Sequence, residues 1–438
     1  MTLFSAQQLL AILKQYNLQG RLWVAYSGGL DSTVLLHALH EIRHHLPIER
    51  VCAVHVHHGL HPDADQWARH CRQFCRSRQI FYQVCRVDAR ARTGESVEAR
   101  ARDLRYRALG VLLRRHETVL TAQHADDQAE TVLLQLLRGA GTAGLSGMAA
   151  RSALGEGWRV RPLLSFTRTQ LLGYAKAQGL TWIEDESNQD LRYDRSFIRQ
   201  KITPLLRKRW PSFAQTLSRS AELQATATRL LRDCARLDWL LCRGETDKQL
   251  DIATLLSLSS ERQEQVLRYW LNALKFSMPS RVKLREIREM LCQAKADRQP
   301  VVKWEGVELR RCRGQLYAML PLPPRPPRWE VQWDLQQPLR LPLGELRAEC
   351  RRGAGLLSDQ VSLPLRVRLR EGGERWLSEG HHRRLKKQLQ ALSFPPWWRA
   401  YLPLLYAENE LLWVAGVGVG DVPRTTGTDQ GWFIWWSV

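Results

Sequence analysis

Ser27-Gly28-Gly29-Leu30-Asp31-Ser32-Thr33 joins an apolar, β-rich run at 22–26 to a helical pattern at 34–39. A strand, a glycine turn and a helix start are the parts of an anion site. Gly28 and Gly29 carry no side chains, so backbone N–H groups can close around phosphate oxygens, and the helix N-terminus adds the positive end of its dipole. Ser27, Ser32 and Thr33 offer hydroxyl donors. Asp31 is the odd member, because a carboxylate beside phosphates is repulsive unless a cation lies between them, and this predicts Mg²⁺ at Asp31. The chain has no Gly-Lys-Ser/Thr, so no P-loop lysine grips the β- and γ-phosphates, and cleavage between α and β is the expected chemistry. A second reactive group follows at His124-Ala125-Asp126-Asp127-Gln128-Ala129-Glu130-Thr131. On a helix Asp127, Glu130 and Thr131 share one face, and Val132, Leu133, Leu136 and Leu137 are expected mostly on the opposite, core face.

The elements needed to position these groups are legible as a rhythm. Apolar runs at 22–26, 51–56, 81–85 and 118–122 alternate with helical patterns at 34–39, 64–75 and 97–113. That alternation predicts an α/β domain with a parallel sheet and helices on both faces, with ligands at the carboxyl ends of the strands. From about residue 212 the strand signal stops, and Val266, Leu267, Trp270, Leu271 and Leu274 form a helical stripe after Ser260 and Gln263. Pro321-Leu322-Pro323-Pro324-Arg325-Pro326-Pro327-Arg328 reads as an extended linker. The expected domains are therefore residues 1–210, a helical domain at 211–320, the linker at 321–330 and a small α+β domain at 331–438.

The chain has 438 residues, of which 44% are hydrophobic and 25% charged, which fits a folded protein of more than one domain. Apolar runs fall well short of the ~20 residues of a spanning helix, and no basic-then-apolar leader opens the chain, so a cytoplasmic protein without a membrane partner is expected. Nine cysteines at irregular spacing do not form a disulfide framework. The 65 Lys+Arg against 44 Asp+Glu give a formal charge of +21, which points to a nucleic-acid partner. His55, His57, His58 and His61 with Cys71 and Cys75 lack a structural zinc spacing. Glu98, Arg102 and Arg105 share a helix face that could meet RNA or nucleotide phosphate. Near the C-terminus, Arg375, His381 to Arg384, Lys386, Lys387, Trp397, Trp398 and Arg399 form a basic and aromatic series suited to phosphates and base stacking.

The first segment resembles the SGGxDS loop of the N-type ATP pyrophosphatases, which adenylate a substrate and release pyrophosphate. The second segment, with Arg138-Gly139-Ala140-Gly141, Gly147-Met148, Arg161-Pro162-Leu163-Leu164, the stretch Glu184 to Asp190, Arg195 and Arg199, resembles the tRNA(Ile)-lysidine synthetases within that superfamily. So does the Glu98-to-Tyr106 stretch. One departure is Ser196, where the family usually has Asn. The C-terminal series resembles the tRNA-contacting domain of the longer members. The resemblance implies ATP-dependent joining of free L-lysine to the wobble cytidine of the CAU anticodon of isoleucine tRNA, through an adenylated cytidine. It implies catalytic roles for Asp31, His124, Asp127, Glu130 and Arg195. ATP would be bound by Ser27, Gly28, Gly29, Leu30, Asp31 and Ser32, and tRNA by Arg102, Arg105, Arg375, Lys386, Lys387 and Arg399. A lysine amine with a pKa of about 10.4 costs roughly 4.6 kcal/mol to free at neutral pH. A carboxylate beside it worsens this. One of Asp127 and Glu130 would therefore anchor the amino acid while Glu130 or His124 takes the proton. The competing readings are a tRNA thiolase on the same scaffold, disfavoured by the lack of a Cys-x-x-Cys pair, and a non-catalytic tRNA-binding protein, disfavoured by the intact acidic residues.

Overall fold

The computed structural model describes residues 4–59, 61–89, 97–184, 190–293, 300–357, 364–378, 380–392, 394–420 and 429–438. The segment Asp185 to Gln189 and the side chain of Glu98 lie outside the described residues. The chain divides into two compact units, Met1–Leu231 and Arg232–Val438.

The first unit is built on a six-stranded sheet. Its strands are β1 (Arg21–Ala25), β2 (Arg50–His57), β3 (Phe81–Arg86), β4 (Thr118–Leu120), β5 (Arg151–Leu154) and β6 (Gly157–Val160), in the order β3-β2-β1-β4-β6-β5. All neighbours are parallel except the β5–β6 hairpin at one edge. Alternation along β1 sends Leu22, Val24 and Tyr26 to one face and Trp23 to the other. Helices α1 (Ala6–Leu13), α2 (Leu30–Ile42), α3 (Ala64–Ser77) and α7 (Arg168–Ala177) supply the core of the first face. Leu109 and Leu113, in and just past α4 (Val97–Leu112), pack with Trp23, Cys52, Val54 and Val119 on the second.

The strand order reverses between β1 and β4, because β1 runs on to β2 and β3 on one side while β4 lies on the other. Loops leaving the carboxyl ends of these two strands therefore flank an open crevice. The loop after β1 leads into α2, and the loop after β4 leads into α5 (Ala125–Leu137). Past a short α6 (Thr142–Leu145) and α7, the chain forms α8 (Asp194–Phe197), a π-helical turn at Ile198–Ile202, α9 (Thr203–Arg209) and the long α10 (Phe213–Cys242). In the π turn the Thr203 N–H donates to the Ile198 carbonyl, five residues back.

In the second unit, helices Ile252–Ser257, Ser260–Ala273 and Arg281–Gln293 pack with a four-stranded antiparallel sheet. The helical domain expected at 211–320 also contains strands, Gln249–Asp251, Val301–Trp304, Val307–Cys312 and Gln315–Met319, which form that sheet. Residues 320–326 carry neither helix nor strand, in keeping with the proline-rich composition there. Beyond them, five-stranded and four-stranded antiparallel sheets enclose a core that includes Trp333, Leu346, Leu365, Leu404 and Trp413, with the helix Leu385–Ala391 alongside.

Candidate active site

Gly28 has φ of +87°, and a Cβ there would come within 2.6 Å of Ile183 Cδ1 and 2.9 Å of Cys71 Sγ. Only glycine fits. The Ile183 N–H donates to the Gly28 carbonyl at 2.9 Å, holding the loop from the side. Gly29 caps α2 without a side-chain bond, so the first amides of α2, which have no intrahelical acceptor, stay available. Ser27 Oγ and Ser32 Oγ are 3.1 Å apart at the loop mouth. Leu30 is buried and can offer only its backbone. Thr33 differs from expectation: its hydroxyl is buried and donates to the Gly28 and Gly29 carbonyls at 3.3 and 3.0 Å, so it staples the loop rather than facing a ligand.

His124 caps α5 reciprocally with Asp127. The His124 N–H donates to Asp127 Oδ2 at 3.1 Å, and the Asp127 N–H donates to His124 Nδ1 at 3.4 Å. The neutral ring therefore carries its proton on Nε2, which lies 3.5 Å from Asp31 Oδ2 and 3.4 Å from Asp127 Oδ2. A second proton on Nδ1 gives up the long cap contact and faces Asp126 Oδ2 at 3.6 Å. His124 is 3% exposed. Burial alone pushes the imidazole down, but Asp127 and Asp31 outweigh it and hold its pKa at about 9. Burial likewise disfavours the Asp127 carboxylate, yet His124, Arg195 and Arg199 together keep it below the usual range.

Two arginines close the acidic pair. Arg195 Nε donates to Glu130 Oε2 at 3.0 Å and its Nη2 to Asp127 Oδ1 at 3.2 Å. Arg199 reaches Glu130 Oε1 with Nε at 2.7 Å, and Asp127 Oδ1 and Glu130 Oε2 with Nη2 at 2.8 Å each. They sit on either side of the start of the π turn, whose wider ring resets the phase of the helix between Arg195 and Arg207. Arg207 binds Asp126 Oδ1, while Asp126 Oδ2 accepts the Arg168 N–H at 2.8 Å. Gln128 is equally structural. Its amide holds Met148 by both backbone groups, at 3.1 and 2.7 Å, directly beside Gly147, whose φ is +62°.

Asp31, His124, Asp127, Glu130 and Arg195 are thus brought together, and Arg199 joins them. Sequence reasoning named Arg199 only within the family pattern, and it missed Asp126 and Arg207. Their signal is the series Arg195, Arg199 and Arg207, in which no acidic residue follows Asp194. The expected core face of α5 is corrected in part: Val132 is buried, but Leu136 and Leu137 are 58% and 77% exposed. Thr131 turns its hydroxyl back to the Asp127 carbonyl at 2.8 Å. Arg105 and Arg102 lie elsewhere, on α4, where Arg105 Nε contacts His58 Nε2 at 3.3 Å and Arg102 stands over the Tyr106 ring. Arg375, Lys386 and Lys387 are exposed. Arg399 is not: it donates twice to the Phe394 carbonyl, at 3.0 and 2.8 Å. Trp397 is also buried, against the expectation of a stacking surface, with its ring edge-on to Tyr317.

Asp31 Oδ1 is buried and has no hydrogen-bond partner, which suits a carboxylate that completes its coordination with a cation held by phosphates. No described helix is long and apolar enough to cross a membrane.

The profile of the PP-loop domain family matches residues 1–206, the TilS substrate binding domain matches 250–317, and the TilS substrate C-terminal domain matches 365–436. The tRNA(Ile)-lysidine synthase of Coxiella burnetii is 38% identical over 98% of this chain and 96% of its own. Those of Serratia proteamaculans and Edwardsiella ictaluri are 41% and 42% identical, covering 97% and 95% of this chain and the same shares of theirs. Among solved structures, the U34-tRNA thiolase NcsA from Methanococcus maripaludis with its 4Fe–4S cluster is similar over 50% of this chain and 78% of its own, with 18% identity and a TM-score of 0.43. A TilS C-terminal domain aligns with 25% of this chain and 98% of its own, with 23% identity and a TM-score of 0.22. At 38–42% identity over nearly the whole of both chains, and with a matching PP-loop profile, the chain belongs to the tRNA(Ile)-lysidine synthase family.

Proposed function

We propose that the protein joins the ε-amine of free L-lysine to C2 of the wobble cytidine in the CAU anticodon of isoleucine tRNA, using ATP. The cytidine 2-oxygen attacks the α-phosphorus and pyrophosphate leaves. The amine then attacks C2, and the C2–oxygen bond breaks to release AMP. The observation that carries this reading is the meeting of the phosphate loop and the His124, Asp127 and Glu130 cluster across the β1–β4 crevice.

Ser27, Gly28, Gly29, Leu30 and Ser32 surround the departing phosphates with backbone and hydroxyl donors. Asp31 would hold Mg²⁺, which when bound supplies positive charge to the phosphate oxygens. His124 Nε2 stands beside Asp31 and Asp127, a donor at the mouth of a loop that has no lysine. Asp127 and Glu130 are already neutralised by Arg195 and Arg199, so the lysine ammonium enters by exchange with one guanidinium. Its positive charge beside His124 lowers both pKa values, and the neutral imidazole accepts the proton. Arg102, Arg105, Arg375, Lys386 and Lys387 contact the tRNA backbone. Such an enzyme works in the cytoplasm with its tRNA.

The test is incubation of purified protein with ATP, Mg²⁺, radiolabelled lysine and isoleucine tRNA transcript, with label counted in acid-precipitable RNA. ATP-dependent labelling that disappears in Asp31→Ala is expected. A protein that binds the transcript and ATP but incorporates no lysine would sink the proposal.

A further inference from the structure

A second concentration of charge lies at the carboxyl ends of β4 and β6, on the sheet face that α4 covers. Strand register fixes it. Trp23 pairs with Val119, and Val119 with Arg159, so all three side chains leave the same face. Alternation sends Thr121 and Arg161 to that face as well. Arg159 stands 4.4 Å from the centroid of the Tyr106 ring and Arg102 5.4 Å from it. Arg161 is 4% exposed, bonds the Tyr106 side chain, and donates through Nη1 to the Ala149 carbonyl at 2.6 Å.

A buried guanidinium is expensive unless an anion accompanies it. Among the described residues, none of Arg102, Arg159 and Arg161 forms an ion pair with a carboxylate. Burial, with Arg159 beside it, pushes Arg161 down to about 10. Tyr106 moves below its ordinary value although burial opposes this, because Arg102, Arg159 and Arg161 surround it. Arg161 Nε, Thr121 Oγ1 and Gln123 Oε1 are buried and have no hydrogen-bond partner. Two orphan donors, Arg161 Nε and Thr121 Oγ1, beside cations that have no carboxylate partner among the described residues describe a place made for an anion that accepts hydrogen bonds.

We propose that this cluster is a cradle for a backbone phosphate of the tRNA next to the nucleotide being modified. Arg161 Nε and Thr121 Oγ1 donate to its oxygens, and Arg102 and Arg159 balance its charge. The assignment rests on the reading that the chain acts on tRNA. ATP carries phosphates of the same chemistry, but its own loop opens α2, which packs on the other face of the sheet. The cradle also touches the catalytic helix through one intermediary. Arg161 holds Ala149, and Gln128 of α5 holds the adjoining Met148, so a phosphate seated there fixes the RNA relative to His124 and Asp127.

The test uses the full-length protein with Arg161→Gln and, separately, Arg159→Gln, whose side chain is only half-buried and whose loss leaves the Ala149 bond in place. Affinity for the unmodified isoleucine tRNA transcript is measured over a series of KCl concentrations, and ATP affinity by calorimetry. Each variant is expected to weaken tRNA binding roughly tenfold and to lower the slope of log K against log salt by about one, as for the loss of one phosphate contact, with ATP affinity unchanged. An unchanged slope in a folded Arg159→Gln overturns the cradle. So does a fall in ATP affinity with the tRNA slope intact, which would give the phosphate to the nucleotide. Absence of lysine incorporation by the unaltered protein would instead sink the enzymatic reading, and the salt slopes would still judge the cradle.

Discussion

At the scale of single residues, His124 ties the acidic helix to the phosphate loop, and its charge makes the fold pH-dependent in a definite direction. The unfolded imidazole titrates near 6.5 and the folded one near 9, so the folded state binds the proton more tightly. The resulting stability is fully present below pH 6.5 and is lost as pH rises through 9. A shift of that size corresponds to about 3 kcal/mol at most. Melting temperatures of the protein and of His124→Gln, taken between pH 6 and pH 10, should differ most at the acid end and converge at the alkaline end. A constant difference would mean that the ring acts only as a cap. Asp31, His124, Asp127 and Glu130 were legible in the sequence because each sits in a short contiguous segment of reactive residue types, 27–33 or 124–131. The structural role of Asp126, in the same segment, was not, because its partners, Arg168 and Arg207, are 42 and 81 residues away.

At the scale of elements, the strand–loop–helix passage around Gly28 was readable because each part has its own local signal. Gly28→Ala should abolish ATP binding and cost about 2 kcal/mol or more, since the left-handed backbone and the contacts with Ile183 and Cys71 both reject a methyl group. Calorimetric ATP titration and chemical denaturation would show it; near-normal ATP affinity would mean that the loop adapts. The β5–β6 hairpin was missed because its strands have only four residues each and carry Arg151 and Arg159 in place of an apolar run. The strands at 301–319 were missed for a related reason: Lys303, Glu308, Arg310 and Arg311 interrupt the alternation, and Glu308 is buried between Lys303 and Arg310 at 2.6 and 2.7 Å. A usable signal was present. Glu305-Gly306 and Arg313-Gly314 are two-residue loops with positive φ at both positions, the geometry of tight hairpin turns.

At the scale of the whole molecule, a net charge of +21 makes tRNA binding strongly dependent on salt. Lys386→Ala with Lys387→Ala should lower the salt slope by about two, raise KM for tRNA and leave kcat at saturating tRNA unchanged. A fall in kcat would mean that the C-terminal cations shape the reaction centre as well as capture. The fold class followed from the alternation of strand and helix patterns. The pairing that completes the catalytic centre did not, because it joins distant stretches of chain. Glu130 and its clamp Arg199 are 69 residues apart. At ~5–20 residues per second the ribosome needs roughly 3–14 s to pass from one to the other. Until residue 195 is added, the new chain already carries Asp31, Asp126, Asp127 and Glu130 but none of the guanidinium groups of Arg195, Arg199 and Arg207. The reaction centre is consequently a late product of synthesis, and a chain released before Arg195 would keep its phosphate loop while its acidic helix stays short of counter-charge.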